Sequence, residues 1–278
     1  MPDRFSAFSF VDRITAVEAG RRARGRFAIP AGLPVFSACL VAEAVGQLAA
    51  WVAMAETGFR CRPVAALSGE TRIIGAAAPG EVLDLGVEIE SCDLDAVAYE
   101  GWARVADRPV MELFRCVGPM LPLEDFDVPE AMRGDFETLC GPGARPGRFP
   151  GLTAPALSLI DRIPGQRLRA AMRVPVSAPF FGDHFPRRPV FPAALLLDAQ
   201  IRLAVLLAGE ALPPGQRLWP ARVTDVKMRS FILPGHAVEI ETGMRSATDG
   251  AAKLSLVAMV AGQRVASGQI EIASRRPG

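Results

Sequence analysis

Histidine is scarce in this chain, because only His184 and His236 occur among 278 residues. Imidazole is the side chain best suited to proton transfer near neutral pH, so such a role could fall on only these two positions. Cysteine is sparse as well, and the five residues are odd in number without a C-x-x-C spacing: Cys39, Cys61, Cys92, Cys116 and Cys140. They predict reduced thiols in a cytoplasmic protein, and neither disulfides nor a zinc site.

An excess of charge of one sign is also missing. The chain has 31 basic and 30 acidic residues, a net charge of +1, which argues against a general nucleic-acid binder. No long apolar run is free of polar residues; the longest, Leu40 to Met54, contains Glu43 and Gln47, so we expect no membrane span. The N-terminus lacks a basic segment followed by an apolar one, so we expect no signal peptide. No phosphate-binding loop, dinucleotide turn or metal-ligand cluster occurs, and we therefore expect no metal and no cofactor.

What the chain does contain is an internal repeat. Pro34–Glu43 matches Pro189–Asp198 at an offset of 155 residues. An Asp-Arg-Ile motif at residues 12–14 recurs at 161–163, an offset of 149, so the second copy holds six more residues between this motif and the segment that follows. Internal duplication is therefore the main architectural feature of the sequence.

Each copy has the same predicted plan. A helix, from Ser37 to about Thr57 in the first copy and from Pro192 to about Leu207 in the second, is apolar on nearly every face and should be buried. Several strand-like runs with Pro-Gly turns follow each helix: Val82–Ile89, Val97–Val105 and Pro109–Val117, then Arg222–Ile232, Ala237–Met244, Lys253–Val260 and Gln263–Ile272. The fold class is therefore α+β, with an antiparallel sheet wrapped round a long central helix in each half.

The repeat also predicts the domain boundaries. We assign residues 1–120 to the first repeat, 121–150 to a linker and 151–278 to the second repeat. The linker is rich in Pro, Gly, Asp and Glu without sustained periodicity, and is predicted to run over the surface. Two copies in one chain should imitate a two-fold homodimer, with further oligomerisation left open.

The most specific stretch of the sequence is Phe180–Asp198. It reads Phe-Phe-Gly-Asp-His-Phe-Pro, continues with prolines at 189 and 192, and passes into the second helix. A proline suits the first turn of a helix, so the stretch predicts a stiff loop that presents His184 just before a helix that carries Asp198.

Together with the Asp-Arg-Ile motif and Phe231-x-x-Pro234-Gly235, this stretch resembles the hot-dog-fold β-hydroxyacyl-acyl carrier protein dehydratases. The resemblance covers both halves of the chain. It implies a tandem, or double, hot-dog and dehydration of a 3-hydroxyacyl thioester to the trans-2-enoyl thioester. It also implies a substrate carried on the phosphopantetheine of acyl carrier protein, which would be the partner, and a site between two hot-dog units that joins a histidine of one to an acid of the other.

Transferred to this chain, the resemblance pairs His184 with Glu43 of the first repeat as the catalytic residues, supported by Gln47 one helical turn later. Backbone N–H groups near Ala193, or Ala38 in the first repeat, would polarise the thioester carbonyl. The family's helix-start glycine is alanine at both positions. We expect the substrate to contact the residues next to the histidine and at the helix start: Phe181, Gly182, Phe185 and Pro192.

The opposite site departs from the family pattern. Asp198 can form an ion pair with Arg202, and the first repeat has only the region around Ile29 where a histidine should be. We therefore predict one live site and one inactive site, with Asp198 a supporting, structural residue. His236 is interpreted as a turn residue. Arg187 and Arg188 either contact acyl carrier protein or are simply solvated.

Three functions remain open from the sequence. The leading hypothesis is a dehydratase of fatty acid or polyketide intermediates, of a chain length that the residues do not define. The others are a non-catalytic acyl-thioester-binding or partner protein and a hot-dog thioesterase. A structural role for His184 or a buried, paired role for Glu43 is the corresponding alternative at the level of single residues.

Overall fold

The computed structural model describes residues 5–213, 215–248 and 250–275. The first repeat contains these elements in order: β1 (Arg13–Glu18), β2 (Arg22–Ala28), α1 (Ala38–Glu56), β3 (Cys61–Pro63), β4 (Leu67–Ile73), β5 (Val82–Cys92), β6 (Ala96–Val105) and β7 (Arg108–Pro122). The connector carries α2 (Pro129–Cys140). The second repeat contains β8 (Ser158–Ile163), β9 (Arg167–Arg173), α3 (Ala193–Ala211), β10 (Arg217–Met228), β11 (Ala237–Ala247), β12 (Ala251–Val260) and β13 (Gln263–Arg275).

The strands of both repeats form one continuous antiparallel sheet. Its order is β1-β2-β5-β6-β7-β4-β10-β13-β12-β11-β9-β8, with β3 paired to β7. The order reads the same from either end when each strand is replaced by its counterpart in the other repeat. At the central seam Arg72 pairs with Arg222, which is the counterpart of Leu67 at the 155-residue offset. Leu67 in turn pairs with Lys227, which is the counterpart of Arg72. The chain therefore forms a pseudo-dimer with a two-fold axis through the β4–β10 seam.

A long apolar helix lies against the concave face of each half-sheet. Ser37 is the N-cap residue of α1, without a capping hydrogen bond from its side chain, and Pro192 is the N-cap residue of α3, in agreement with the predicted starts. By length and composition α1 could cross a membrane, but most of it is buried against β5, β6 and the other helix, as expected for a core helix. The predicted α+β fold, with a sheet wrapped round a central helix in each half, is confirmed.

The register of the strands explains the six additional residues of the second repeat. Arg13 pairs with Arg26 and Glu18 with Arg22, while Ser158 pairs with Ala171 and Ile163 with Arg167, so the two hairpins match at an offset of 145 residues along both strands. The second Asp-Arg-Ile motif therefore lies four residues closer to its turn than the first and is not its structural equivalent, and the loop that carries His184 is ten residues longer than its counterpart, which gives the net difference of six. Ile29 corresponds to Val174 at the end of a strand, upstream of that loop. The first repeat therefore has a loop that is ten residues shorter and contains no histidine, and Ile29 does not stand in for the histidine itself.

The connector differs from the predicted surface linker. Strand β7 continues to Pro122, a 3-10 turn follows at Leu123–Asp125, and α2 occupies twelve residues of the segment. Its apolar side chains are buried in the core: Leu123, Phe126, Leu139 and Phe149. Because these side chains lie among many Pro, Gly and acidic residues, the average composition concealed them.

Candidate active site

A cavity of about 530 Å³ lies between the two repeats and is lined mainly by apolar side chains. It follows α1 from Cys39 to Met54 and is closed on the other side by the loop around His184 and by the start of α3. Glu43 of the first repeat and His184 of the second both line this cavity. Pockets of this size and composition with a few polar groups are typical of sites for small apolar ligands.

The imidazole of His184 is oriented by a backbone carbonyl. Its Nδ1 lies 3.2 Å from the oxygen of Val190. A carbonyl can only accept, so Nδ1 must donate and the neutral ring keeps an unprotonated Nε2. Burial, reinforced by the charge of Arg62, lowers the pKa of His184 from 6.5 to about 4. The ring is therefore neutral at physiological pH and can accept a proton at Nε2.

Glu43 is held by its neighbour one helical turn along α1. Nε2 of Gln47 donates to Oε1 of Glu43 at 3.0 Å and also to the oxygen of Phe8 at 2.9 Å. Burial raises the pKa of Glu43 above its usual value, although Gln47 and Arg62 act in the opposite direction. When Glu43 is protonated, its proton is best placed on Oε2, since Oε1 already accepts from Gln47. The carboxyl group is thus arranged as a proton donor.

The N-terminal segment 5–9 forms one wall of the cavity, a role for which no sequence pattern gave a signal. Oδ2 of Asp183 accepts from the backbone N–H of Ala7 at 2.9 Å, from that of Phe8 at 2.8 Å and from the hydroxyl of Ser9 at 3.0 Å. The Phe8 ring then meets the imidazole of His184 edge-on, with the centroids 5.4 Å apart. The residue before the histidine therefore fastens the first repeat to the histidine loop.

Two further cavity residues were missed by the sequence reasoning. Arg62 on β3 places its guanidinium 4.0 Å from the ring centroid of Phe185. Tyr99 on β6 is partly buried near Glu43, and its hydroxyl would lie 3.3 Å from a Cβ at Gly46. Burial raises the pKa of Tyr99 well above its usual value, so the hydroxyl is neutral. Both positions lie on strands without a motif, which is why only the folded chain reveals them.

The remaining site residues predicted from the sequence fall into two groups, those that line the cavity and those that do not. Gln47, Gly182, Phe185 and Ala193 line the cavity. Phe181, Pro192, Ala38 and Asp198 are not among the described residues that do so. Phe181 is instead buried in the hydrophobic core, and Pro192 is the N-cap residue of α3. Phe181, Pro192 and Ala38 thus lie outside the lining of this cavity, and the substrate contacts and support expected of them stay predictions.

The opposite half of the pseudo-dimer has a different arrangement. Nε of Arg202 lies 3.3 Å from Oδ2 of Asp198, and the guanidinium also donates to the oxygen of Pro155. Phe36, the counterpart of cavity residue Phe191, packs in a cluster of four aromatic rings with Phe10, Phe27 and Phe149. The surroundings of Phe36, which correspond to the cavity wall at Phe191, are thus occupied by aromatic side chains.

Three further residues that the sequence analysis considered, Arg187, Arg188 and His236 of the second repeat, have structural partners. The backbone N–H of Arg187 donates to the oxygen of Phe126, and its guanidinium donates to the oxygen of Glu124. Arg188 lies over the ring of Phe231 at 5.0 Å. The backbone N–H of Leu233 donates to Nδ1 of His236 at 3.3 Å, within one turn.

Fold and site together define a double hot-dog protein with one composite cavity. Comparison with solved structures supports this class along nearly the whole chain. A Lactobacillus plantarum chain described as an oleoyl thioesterase superposes with a TM-score of 0.61 at 14% identity, over 92% of this chain and 97% of the other. The tesB protein of Mycobacterium avium subs paratuberculosis gives a TM-score of 0.57 at 13% identity, over 94% and 96%. At identities this low, the superpositions show a shared fold alone.

Sequence comparison identifies the family. The model of the FabA-like domain matches residues 152–269. The 3-hydroxyacyl-[acyl-carrier-protein] dehydratase FabZ of Escherichia coli O139:H28 is 31% identical over 138 residues, which cover 47% of this chain and 87% of the relative. The FabZ proteins of Shigella boydii serotype 18 and Escherichia fergusonii match to the same extent. The chain belongs to the FabZ-like dehydratase family of hot-dog proteins, as the motif around His184 indicated.

Proposed function

We propose that this protein dehydrates a 3-hydroxyacyl thioester, carried on the phosphopantetheine of acyl carrier protein, to the trans-2-enoyl thioester. The observation that carries the proposal is the shared cavity of His184 and Glu43, which brings a neutral imidazole and a carboxyl group whose pKa is raised by burial to one apolar space. The dehydratase activity for which the FabZ relatives are named agrees with it.

In the proposed reaction Nε2 of His184 removes a proton from the carbon next to the thioester carbonyl. Backbone N–H groups at the start of α3, beside Ala193, stabilise the negative charge that develops on the carbonyl oxygen. Glu43 gives its proton to the 3-hydroxyl group, which leaves as water while the carbon–carbon double bond forms. Returning one proton from His184 to Glu43 restores the starting state.

The test compares three variants in one assay. 3-Hydroxyacyl-acyl carrier proteins of several chain lengths are followed for enoyl product, with release of free thiol measured in parallel. His184→Ala and Glu43→Gln should each lower kcat by roughly 10²- to 10⁴-fold, the usual contribution of general acid–base groups. Asp198→Asn is the matched carboxylate control in the other repeat and should change kcat only a few-fold.

Each contrary result would refute a different part of the proposal. Loss of activity in Asp198→Asn with normal activity in Glu43→Gln would refute the pairing across the repeats. Free thiol without enoyl product would identify a thioesterase, and tight binding of the acyl thioester without either product would identify a binding protein. The proposed setting is cytoplasmic fatty acid or polyketide synthesis, and the chain-length series would define the preferred substrate.

A further inference from the structure

Arg62 belongs to a three-layer stack that reaches from the first repeat to the histidine loop. Its guanidinium lies 4.0 Å from the Phe185 centroid. The imidazole of His184 stacks on the same ring, with centroids 4.1 Å apart and planes inclined by 21°. Two groups this close to one ring centroid would overlap on a single face, so they must occupy opposite faces.

The ring in the middle of this stack is itself fixed by the connector. Phe126 is fully buried and meets Phe185 edge-on, with the centroids 5.0 Å apart. Arg62 lies on β3, whose partner β7 leads directly into this part of the connector. Phe185 therefore has little freedom to turn, and the position of the guanidinium is transmitted to the imidazole.

We propose that Arg62 is a positioning residue for His184, which holds the imidazole through Phe185 and presents a fixed positive charge to both His184 and Glu43. This inference rests on the proposed function of the cavity. The guanidinium remains charged at every relevant pH, so its field is constant. It lowers the pKa of both His184 and Glu43, which keeps the base neutral and moderates the effect of burial on the acid.

The other titratable groups of the cavity do not supply a permanent positive charge. They come from every element around the imidazole: Cys39 and Glu43 on α1, Tyr99 on β6, Cys116 on β7, Asp183 in the histidine loop, and Asp127 and Asp135 in the connector. All of them are neutral or negative, and a negative charge would raise the pKa of His184. Among the described residues that line the cavity, Arg62 is the one permanent cation.

The expected shift follows from the geometry of the stack. The two stacking distances place the guanidinium about 8 Å from the imidazole, where one unit charge at an effective dielectric constant near 20 moves a pKa by roughly one to two units. Removing the charge in Arg62→Gln should raise the pKa of His184 and of Glu43 together. Both limbs of the pH profile of kcat/KM should then move to higher pH, which loss of packing alone would not cause.

The first experiment does not depend on the catalytic activity of the protein. Since the chain has only two histidines, their imidazole resonances can be titrated by NMR and assigned with His236→Asn. In Arg62→Gln the His184 resonance should titrate one to two pH units higher than in the natural sequence, and in Arg62→Lys it should stay low. Arg133→Gln is the matched control, because Arg133 lies 5.0 Å over the ring of Phe59 and outside the cavity lining.

The second experiment uses the dehydration assay on the same variants. Arg62→Gln should lower kcat/KM at pH 7 by roughly tenfold to a hundredfold, the cost of a misplaced catalytic group, and Arg62→Lys should recover the pH limbs but not the full rate. An unchanged His184 titration in Arg62→Gln would overturn the inference. If the natural sequence forms no enoyl product but the titration shifts as expected, the role of Arg62 stands and the dehydratase proposal fails.

Discussion

The burial of a neutral His184 should make the folded protein sensitive to acid. The folded-state pKa of about 4 lies below the ordinary 6.5, so between these values the unfolded chain binds the additional proton. The stabilisation by a neutral His184 is therefore complete above pH 6.5 and is lost progressively as the pH falls to about 4. The full difference corresponds to about 3 kcal/mol at 1.36 kcal/mol per unit. Because the ring lines the cavity, where solvent screens its charge, we expect the loss of unfolding free energy to be smaller, about 1–2 kcal/mol.

His184→Asn isolates this effect. The asparagine amide can still donate to the oxygen of Val190, but it does not ionise. Urea unfolding at pH 7 and pH 4.5 gives the loss of unfolding free energy for each protein, and this loss should be about 1–2 kcal/mol smaller in the variant. His236→Asn serves as the control for a histidine outside the cavity. Equal losses in His184→Asn and in the natural sequence would show that His184 is not held neutral in the folded protein.

Two further outcomes concern carboxylates outside the catalytic pair. Burial raises the pKa of Asp12 from 3.8 to about 6, so the stability contributed by its neutral carboxyl group is complete below pH 3.8 and is lost as the pH rises to about 6. Asp12→Asn can still accept from the N–H of Ala28; by urea unfolding it should be about 1–2 kcal/mol more stable than the natural sequence at pH 8 and show no such gain at pH 3. Asp183→Ala removes three hydrogen bonds to the N-terminal segment and should increase amide hydrogen exchange at Ala7 and Phe8 while α1 stays protected; unchanged exchange there would contradict the anchoring role.

Much of the architecture was accessible from the sequence because it depends on local patterns. Apolar helices that begin at Ser37 and Pro192 and strands with Pro-Gly turns are encoded within short windows, and the repeat made the pseudo-dimer visible. The motif around His184 indicated the family. The pairing with Glu43 came from that resemblance, and its catalytic role remains a prediction.

The parts that escaped prediction depend on distant contacts. Asp183 binds residues about 175 positions away, and Arg62 acts on a ring in the other repeat. Neither has a periodic or spaced signature, since only the closed fold brings them to the cavity. The connector was misjudged for a related reason: its few buried aromatic residues contribute little to average composition but much to packing.

The symmetric seam between β4 and β10 has a consequence for how the site responds to dilution. A site shared by separate subunits disappears when they dissociate, so its activity falls as the protein becomes scarce. Here the connector covalently ties the half that bears Glu43 to the half that bears His184, and short tethers maintain effective concentrations in the millimolar range. A single chain thus contains the equivalents of both subunits of a two-fold dimer. The composite site stays assembled even when a cell contains very few copies of the protein.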